Sequence, residues 1–389
     1  MLLIHSTEDF TIQGISYPGI PLLVNEEMEV VEPVLRFIVY QAVQNGRVRS
    51  KKTILSYANS LYDFFSFMEA NNLNWNQSCR PDESTEITVV ALYRSWSVSL
   101  TGKASLMAST INTRLAAIRQ FYEFCLKRGT INRLPWDGVR RVARHGHQSA
   151  MRHTRSSLHT DSTDLRLKTY KQTPKVLTLN QAKQLVQAID NRTLNLIVKL
   201  ALTTGMRREE LITFQLESIC RPSSSQINNR LPVDLISRPN GQRTKGNRAR
   251  TIYIPAPLMM ELYEYTRFGE GVRRTKLADG IEEHLSYLFL NLKGESFSER
   301  ALNTLLSKLY QSGRIDFHVT PHMLRHTYAT MELYAESHTK DMGQALAWVR
   351  DRLGHSSIQT TMIYVHCIEQ LDDHELHHYQ NELLEMANL

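Results

Sequence analysis

Thr320-Pro321-His322-Met323-Leu324-Arg325-His326 is the stretch on which the reading of this chain turns. Threonine ahead of proline has the form of a helix N-cap followed by proline at the first helical position, where the missing N–H costs nothing. His322 and Arg325 are three residues apart, so a helix puts both on one face. There an arginine can clamp an anion, and a histidine can hydrogen-bond it and accept or relay a proton. His326 lies four after His322, which also suits two zinc ligands, but no third ligand is evident.

Working outward, Leu353-Gly354-His355 reads as the exit of a helix, with Tyr364 nine positions on. That tyrosine sits on a helix that Ser356 or Ser357 would cap. Upstream, Thr204-Gly205-Met206-Arg207-Arg208-Glu209-Glu210-Leu211 reads as a helix ended by Gly205 and a new one started by Arg207. Glu210, three residues after Arg207, shares its face and can orient an arginine or histidine. Thr244-Lys245-Gly246-Asn247 places Lys245 at a hairpin tip, from which a lysine can reach a groove and protonate a leaving oxygen. Each piece alone has a plainer reading: a charged helix start for Arg207, a C-cap histidine for His355, a surface lysine for Lys245, a half-buried structural tyrosine for Tyr364. Together, Arg207, Lys245, His322, Arg325, His355 and Tyr364 can hold a phosphodiester, stabilise its extra charge and attack it without a metal.

Bulk properties agree. The chain of 389 residues is comfortable for two domains, and 42% hydrophobic residues support buried cores. No apolar run approaches membrane-spanning length, and the N-terminus has neither the basic region nor the apolar core of a secretory signal. Cys79, Cys125, Cys220 and Cys367 are scattered without a CxxC pair, which fits a reducing cytosol and gives no zinc or disulfide framework. The net charge is +7. Residues 139–176 hold nine basic residues (Arg140, Arg141, Arg144, Arg152, Arg155, Arg166, Lys168, Lys171 and Lys175) against Asp161 and Asp164, a surplus equal to the whole formal excess. A belt this concentrated suggests a polyanion partner; a solvated linker that is basic by chance is the alternative.

Four segments follow along the chain. Residues 1–30, with Gly14, Pro18, Gly19 and Pro21, read as a turn-rich N-terminal extension with room for short strands. Residues 31–138 read as a small helical domain: Ile54, Tyr57, Leu61, Phe64, Phe65 and Met68 recur at helical steps, as do Ile111, Leu115, Ile118 and Tyr122 after a Ser109 or Thr110 cap. Its aromatics are most simply core; Lys51, Lys52 and Arg114, near helix starts, are better candidates for phosphate contacts. The basic belt, 139–176, is a linker, and its Arg140, Arg141 and Arg144 are further candidates for DNA contact. Residues 177–389 form a second domain. It opens on the capping box Thr178-Leu179-Asn180-Gln181, carries strands over Leu231–Ile236 and Ala249–Ile254, and is otherwise mainly helical, with long loops at 221–230 and 268–284. His374-Glu375-Leu376-His377-His378 matches the HExxH zinc signature, but Leu376, Tyr379, Leu383 and Met386 fit a terminal amphipathic helix better. Its stripe packs on its own domain or docks on a neighbour.

The six polar residues, in this order and spacing, resemble the tyrosine recombinase (phage integrase) family over about residues 30–389. None of the six is missing, and Glu210 matches the family's acidic position after the first arginine. The resemblance implies an α+β fold, mainly α with a small β-sheet. It implies a two-domain DNA clamp, made of a helical core-binding domain and a catalytic domain bridged by the basic linker. It further implies that Tyr364 attacks the scissile phosphate to give a 3′-phosphotyrosyl link, which a 5′ hydroxyl of a partner strand then resolves. Neither ATP, metal nor other cofactor is called for. The implied partners are double-stranded recombination sites and a homotetramer on two duplexes, with the terminal helix docking on a neighbouring protomer. The expected location is the cytoplasm, on the nucleoid. The first 30 residues look too short for a separate arm-binding domain, which favours a simpler recombinase or a mobile-element integrase. A type IB topoisomerase shares this chemistry but works as a monomer; a non-enzymatic DNA-binding regulator would be expected to have lost Tyr364 or an arginine.

Overall fold

The computed structural model describes residues 1–45, 50–77, 87–136, 138–142, 159–163, 165–169, 173–226, 229–237, 241–278 and 286–368. The chain divides into two compact units, Met1–Lys171 and Gln172–Leu389. Among the described residues no helix is long and apolar enough to cross a membrane.

In the first unit, residues 1–30 form two antiparallel pairs. β1 (Leu2–His5) lies against β4 (Pro21–Val24), and β2 (Thr11–Ile12) against β3 (Ile15–Ser16). The segment expected as an extension therefore contributes to the core: Ile20 and Leu23 are buried with the helices, and the terminal ammonium of Met1 pairs with Glu69. The helices are α1 (Glu32–Val39), α2 (Lys51–Ala70), α3 (Val89–Ser99) and α4 (Ala108–Lys127). Ser50 and Thr88 cap α2 and α3 through their hydroxyls. α4 starts before the expected Ser109 or Thr110 cap. Met107 stands at its N-cap, and the first turn closes through backbone bonds from Thr110 and Ile111 to the Met107 carbonyl. Phe37, Phe64, Phe65, Tyr93, Phe121 and Tyr122 interlock in the core, mostly edge-to-face, as quadrupoles favour. Tyr57 is half-buried with its hydroxyl on Gln120, so it too serves packing. Within the basic belt, β5 (Gly138–Val142) pairs with β6 (His159–Thr163), and Leu165 and Leu167 pack on this core.

The second unit is built around α6 (Arg192–Thr204), in which every residue from Thr193 to Thr204 except Asn195 is buried. Burying a large apolar side chain contributes about 1.5–3 kcal/mol, so this helix anchors the domain. Its one buried charge, Lys199, is matched by Glu261 at 2.9 Å. Around it lie α5 (Leu179–Gln187), α7 (Arg208–Ile212), the hairpin of β7 (Arg230–Leu235) and β8 (Arg250–Pro255), α8 (Ala256–Arg267), α9 (Glu270–Leu277), α10 (Ala301–Gln311), α11 (Pro321–Ser337), α12 (Met342–Leu353), α13 (Ile358–Thr361) and α14 (Ile363–Ile368). The Thr178 capping box forms as expected, with both reciprocal bonds to Gln181. α9 corrects the expectation of a long loop from residue 268. Its apolar residues are too few to make a stripe. It is held instead by the buried Arg274, which donates to the Leu290 carbonyl and pairs with Glu270, and by close contact of Gly271 with Tyr265. The HExxH stretch and the Leu376–Met386 stripe lie outside the described residues.

Candidate active site

Gly205 closes α6 in the left-handed conformation, φ +61. A Cβ there would lie 2.2 Å from Cδ1 of Tyr328, so glycine is required by both backbone and space. The turn sends the chain into α7, with Arg207 at its N-cap. α12 ends the same way, at Gly354 with φ +63. Three successive carbonyls at that end each accept from a different arginine: Arg352 O from Arg250 Nε at 2.8 Å, Leu353 O from Arg325 Nη2 at 2.7 Å, and Gly354 O from Arg207 Nη2 at 3.0 Å. The negative end of a helix dipole thus gathers three guanidinium groups. Arg325 is pinned a second time, its Nη1 donating to Gly205 O at 2.6 Å.

Glu210 is the counter-charge. Its fully buried carboxylate accepts from Arg207 N at 2.6 Å and Arg207 Nη1 at 3.1 Å, and from Arg250 Nη1 and Nη2 at 2.6 and 2.5 Å. Burial pushes its pKa up, but the bonds and charges of Arg250 and Arg207 outweigh that and hold it below the usual carboxylate range. Burial, then the charge of Arg207, lowers the Arg325 guanidinium to about 9, so it remains cationic at neutral pH. Three arginines thus stand against one carboxylate, which two of them bond, leaving a positive surplus suited to a phosphate.

The histidines are held neutral. Burial, then the charges of Arg325, Arg207 and Lys245, keeps His322 below its ordinary value. His355 falls to about 3 through burial and the charges of Arg325 and Arg207, and its Nδ1 lies 3.0 Å from Thr361 Oγ1. With the hydroxyl donating to that nitrogen, Nε2–H is left as a donor. Lys245 is exposed on the loop between β7 and β8. The base of that loop is fixed, with Gln242 Nε2 donating to Glu210 O at 3.0 Å and Arg243 N to Thr213 Oγ1 at 3.0 Å.

Tyr364, on α14, is 2% exposed. Its ring lies nearly parallel to His355, centroids 6.2 Å apart, and its hydroxyl is 3.0 Å from Nδ1 of His326. Burial lifts its pKa to about 12, against the opposing charge of Arg325. The structure therefore gathers Arg207, Glu210, Arg325, His355 and Tyr364, with His322 within the electrostatic reach of Lys245. Two participants escape the motif reading. Arg250, at a strand start, has no local spacing that marks it. His326 was visible only as the fourth residue after His322. Of the candidate phosphate contacts, Lys51 and Lys52 are exposed in the first turn of α2, while Arg114 is engaged by Asp63 at 2.6 Å. Arg144 lies outside the described residues, and for Arg140 and Arg141 the description is of backbone strand pairing.

Residues 175–370 match the model of the phage integrase family, and residues 39–129 that of the phage integrase N-terminal SAM-like domain. Transposase A from transposon Tn554 of Staphylococcus aureus is 25% identical over 382 residues, covering 95% of this chain and 96% of the relative. Tyrosine recombinase XerD of Rickettsia bellii is 26% identical over 349 residues, covering 87% and 94%. Among solved structures, the XerH site-specific recombinase bound to its difH substrate in a pre-cleavage complex superposes with a TM-score of 0.54 at 17% identity, over 87% of this chain and 93% of that one. The Tn1549 transposon integrase in complex with a circular intermediate DNA gives 0.55 at 16%, over 85% and 94%.

Proposed function

The chain belongs to the phage integrase family, that of the tyrosine recombinases, and on that premise we propose that it is a site-specific DNA recombinase that integrates, excises or resolves a mobile element. The observation that carries this reading is the convergence of Arg207 and Arg325 on the carbonyl end of α12, beside a tyrosine whose hydroxyl a histidine holds. Arg207 and Arg325 take the non-bridging oxygens of the scissile phosphate, with His322 and His355 as further donors. Tyr364 Oη attacks phosphorus, the 3′-phosphotyrosyl bond forms, and the 5′ oxygen departs with a proton from Lys245. A 5′ hydroxyl of the partner strand then attacks the phosphotyrosyl link and restores the diester. The covalent link conserves the diester's energy, so the reaction draws on neither ATP nor a metal. Preorganised guanidinium groups stabilise the transition-state charge, each worth on the order of 10²–10³ in rate.

The remaining parts of the reading are proposals of the same kind. The helical first unit and the catalytic unit grip the duplex, with Lys51, Lys52, Arg140, Arg141 and Arg144 on phosphates. Four protomers assemble on two duplexes, and the Leu376–Met386 stripe docks on a neighbour. The protein works in the cytoplasm, on the nucleoid. Expression of the wild type and Tyr364→Phe in cells, purification under denaturing conditions, and sequencing of attached DNA tests the reading. Adducts at defined positions in the wild type alone support it; no adduct in a protein that binds DNA tightly points to a regulator instead.

A further inference from the structure

Tyr364 and His326 make a contact that the six-residue set leaves unused. The phenol oxygen, the attacking atom under the recombinase reading above, has among the described residues one hydrogen-bonding side chain on it: Nδ1 of His326 at 3.0 Å. The two rings are tilted by 53°, with centroids 5.6 Å apart, and an imidazole nitrogen that carries no proton can accept from the phenol. His322, which the sequence offers as the proton acceptor, has its ring 4.3 Å from that of His326. A nucleophile within hydrogen-bond reach of a base is the geometry of an activated hydroxyl.

We propose that His326 is a catalytic residue of the cleavage step: its Nδ1 holds the Tyr364 hydroxyl and receives its proton as Oη bonds to phosphorus. In that step the Oη–P bond forms and the bond from phosphorus to the 5′ oxygen breaks. The phenolic proton passes to Nδ1, and the leaving oxygen takes a proton from the Lys245 ammonium. The diester carries one negative charge before and after the step, and the second charge that builds up on the pentavalent transition state falls to the arginines. In the reverse, ligating step His326 returns the proton to the phenol.

The electrostatics are consistent with this role. Burial, then His322 and Arg325, hold His326 down to about 4, so at neutral pH the ring is uncharged and its lone pair free to accept. A phosphodiester in the arginine pocket adds a negative charge beside it, which raises the imidazole, and the phenol, held near 12, gives up its proton as Oη bonds to phosphorus.

The test uses the full-length protein and a nicked suicide duplex carrying the sequence recovered from wild-type adducts. Single-turnover formation of the covalent adduct is followed for the wild type, His326→Ala and His326→Asn. Asparagine keeps an acceptor near the position of Nδ1 but cannot take the proton. Both variants are expected to bind the duplex with unchanged affinity and to cleave about 10²-fold more slowly. Each is then made with a fluorinated tyrosine at 364, whose phenol ionises near neutral pH and needs no base. The deficit should then shrink below about tenfold. Cleavage at the wild-type rate or faster in either variant would overturn the proposal, the faster rate showing a latch. A deficit unchanged by the fluorinated phenol would also overturn it, assigning His326 to packing. If the wild type forms no adduct, the recombinase reading fails instead.

Discussion

Replacing Glu210 by glutamine removes one charge from the most densely bonded group of the site at nearly constant volume. The carboxylate takes four bonds, two from Arg207 and two from Arg250. The amide keeps one acceptor oxygen and turns an NH2 toward guanidinium donors, so about two charge-assisted bonds are lost, each worth roughly 1.5–3 kcal/mol. That matches the roughly 3–5 kcal/mol typical of breaking one side of a buried ion pair. For a domain of this size each kcal/mol moves Tm by about 2–4 °C, so Glu210→Gln should melt roughly 6–20 °C lower. Arg207 loses its second anchor as well, and cleavage should fall by on the order of 10²–10³. Scanning calorimetry and single-turnover cleavage measure the two effects separately. A variant that melts with the wild type and cleaves at its rate would refute the assignment of Glu210 as the group that fixes both arginines.

Other perturbations have distinct signatures. Gly205→Ala places a methyl 2.2 Å from Tyr328 Cδ1 in a left-handed backbone; strain and overpacking together should cost about 2–5 kcal/mol in urea unfolding, and a smaller loss would mean that α6 ends more loosely than described. His322, His326 and His355 are all held below their ordinary value. The unfolded chain therefore binds more protons than the folded one below about pH 6.5, and stability, full above that pH, should fall as pH drops toward 4. Urea midpoints at pH 7.5, 5.5 and 4.5 check this, and a flat profile would contradict it.

Much of the site was legible because its determinants are local. Thr320-Pro321 caps and starts α11, Gly205 and Gly354 end helices, and the three-residue step from Arg207 to Glu210 is a helix-face spacing. Those rules place side chains to within a turn. What they cannot give is the meeting of separate elements. Arg250 reaches Glu210 and Arg352 O only after the hairpin packs beside α7 and α12. His326 finds Tyr364 at a separation of 38 positions. α9 hid for another reason: it lacks an apolar stripe and is secured by the polar side chain of Arg274, so periodicity carried no signal. Residues 1–30, with few apolar positions in alternation, gave no hint that Ile20 and Leu23 would join the first unit's core.

The central claim is that Tyr364 becomes covalently joined to DNA. Digestion of trapped adducts with nuclease and protease, followed by mass analysis of the nucleotide-bearing peptide, tests it most directly. The account predicts a nucleotide attached through its 3′ phosphate to Tyr364, and no such peptide from Tyr364→Phe. A nucleotide on another residue, or one that persists in Tyr364→Phe, would contradict it.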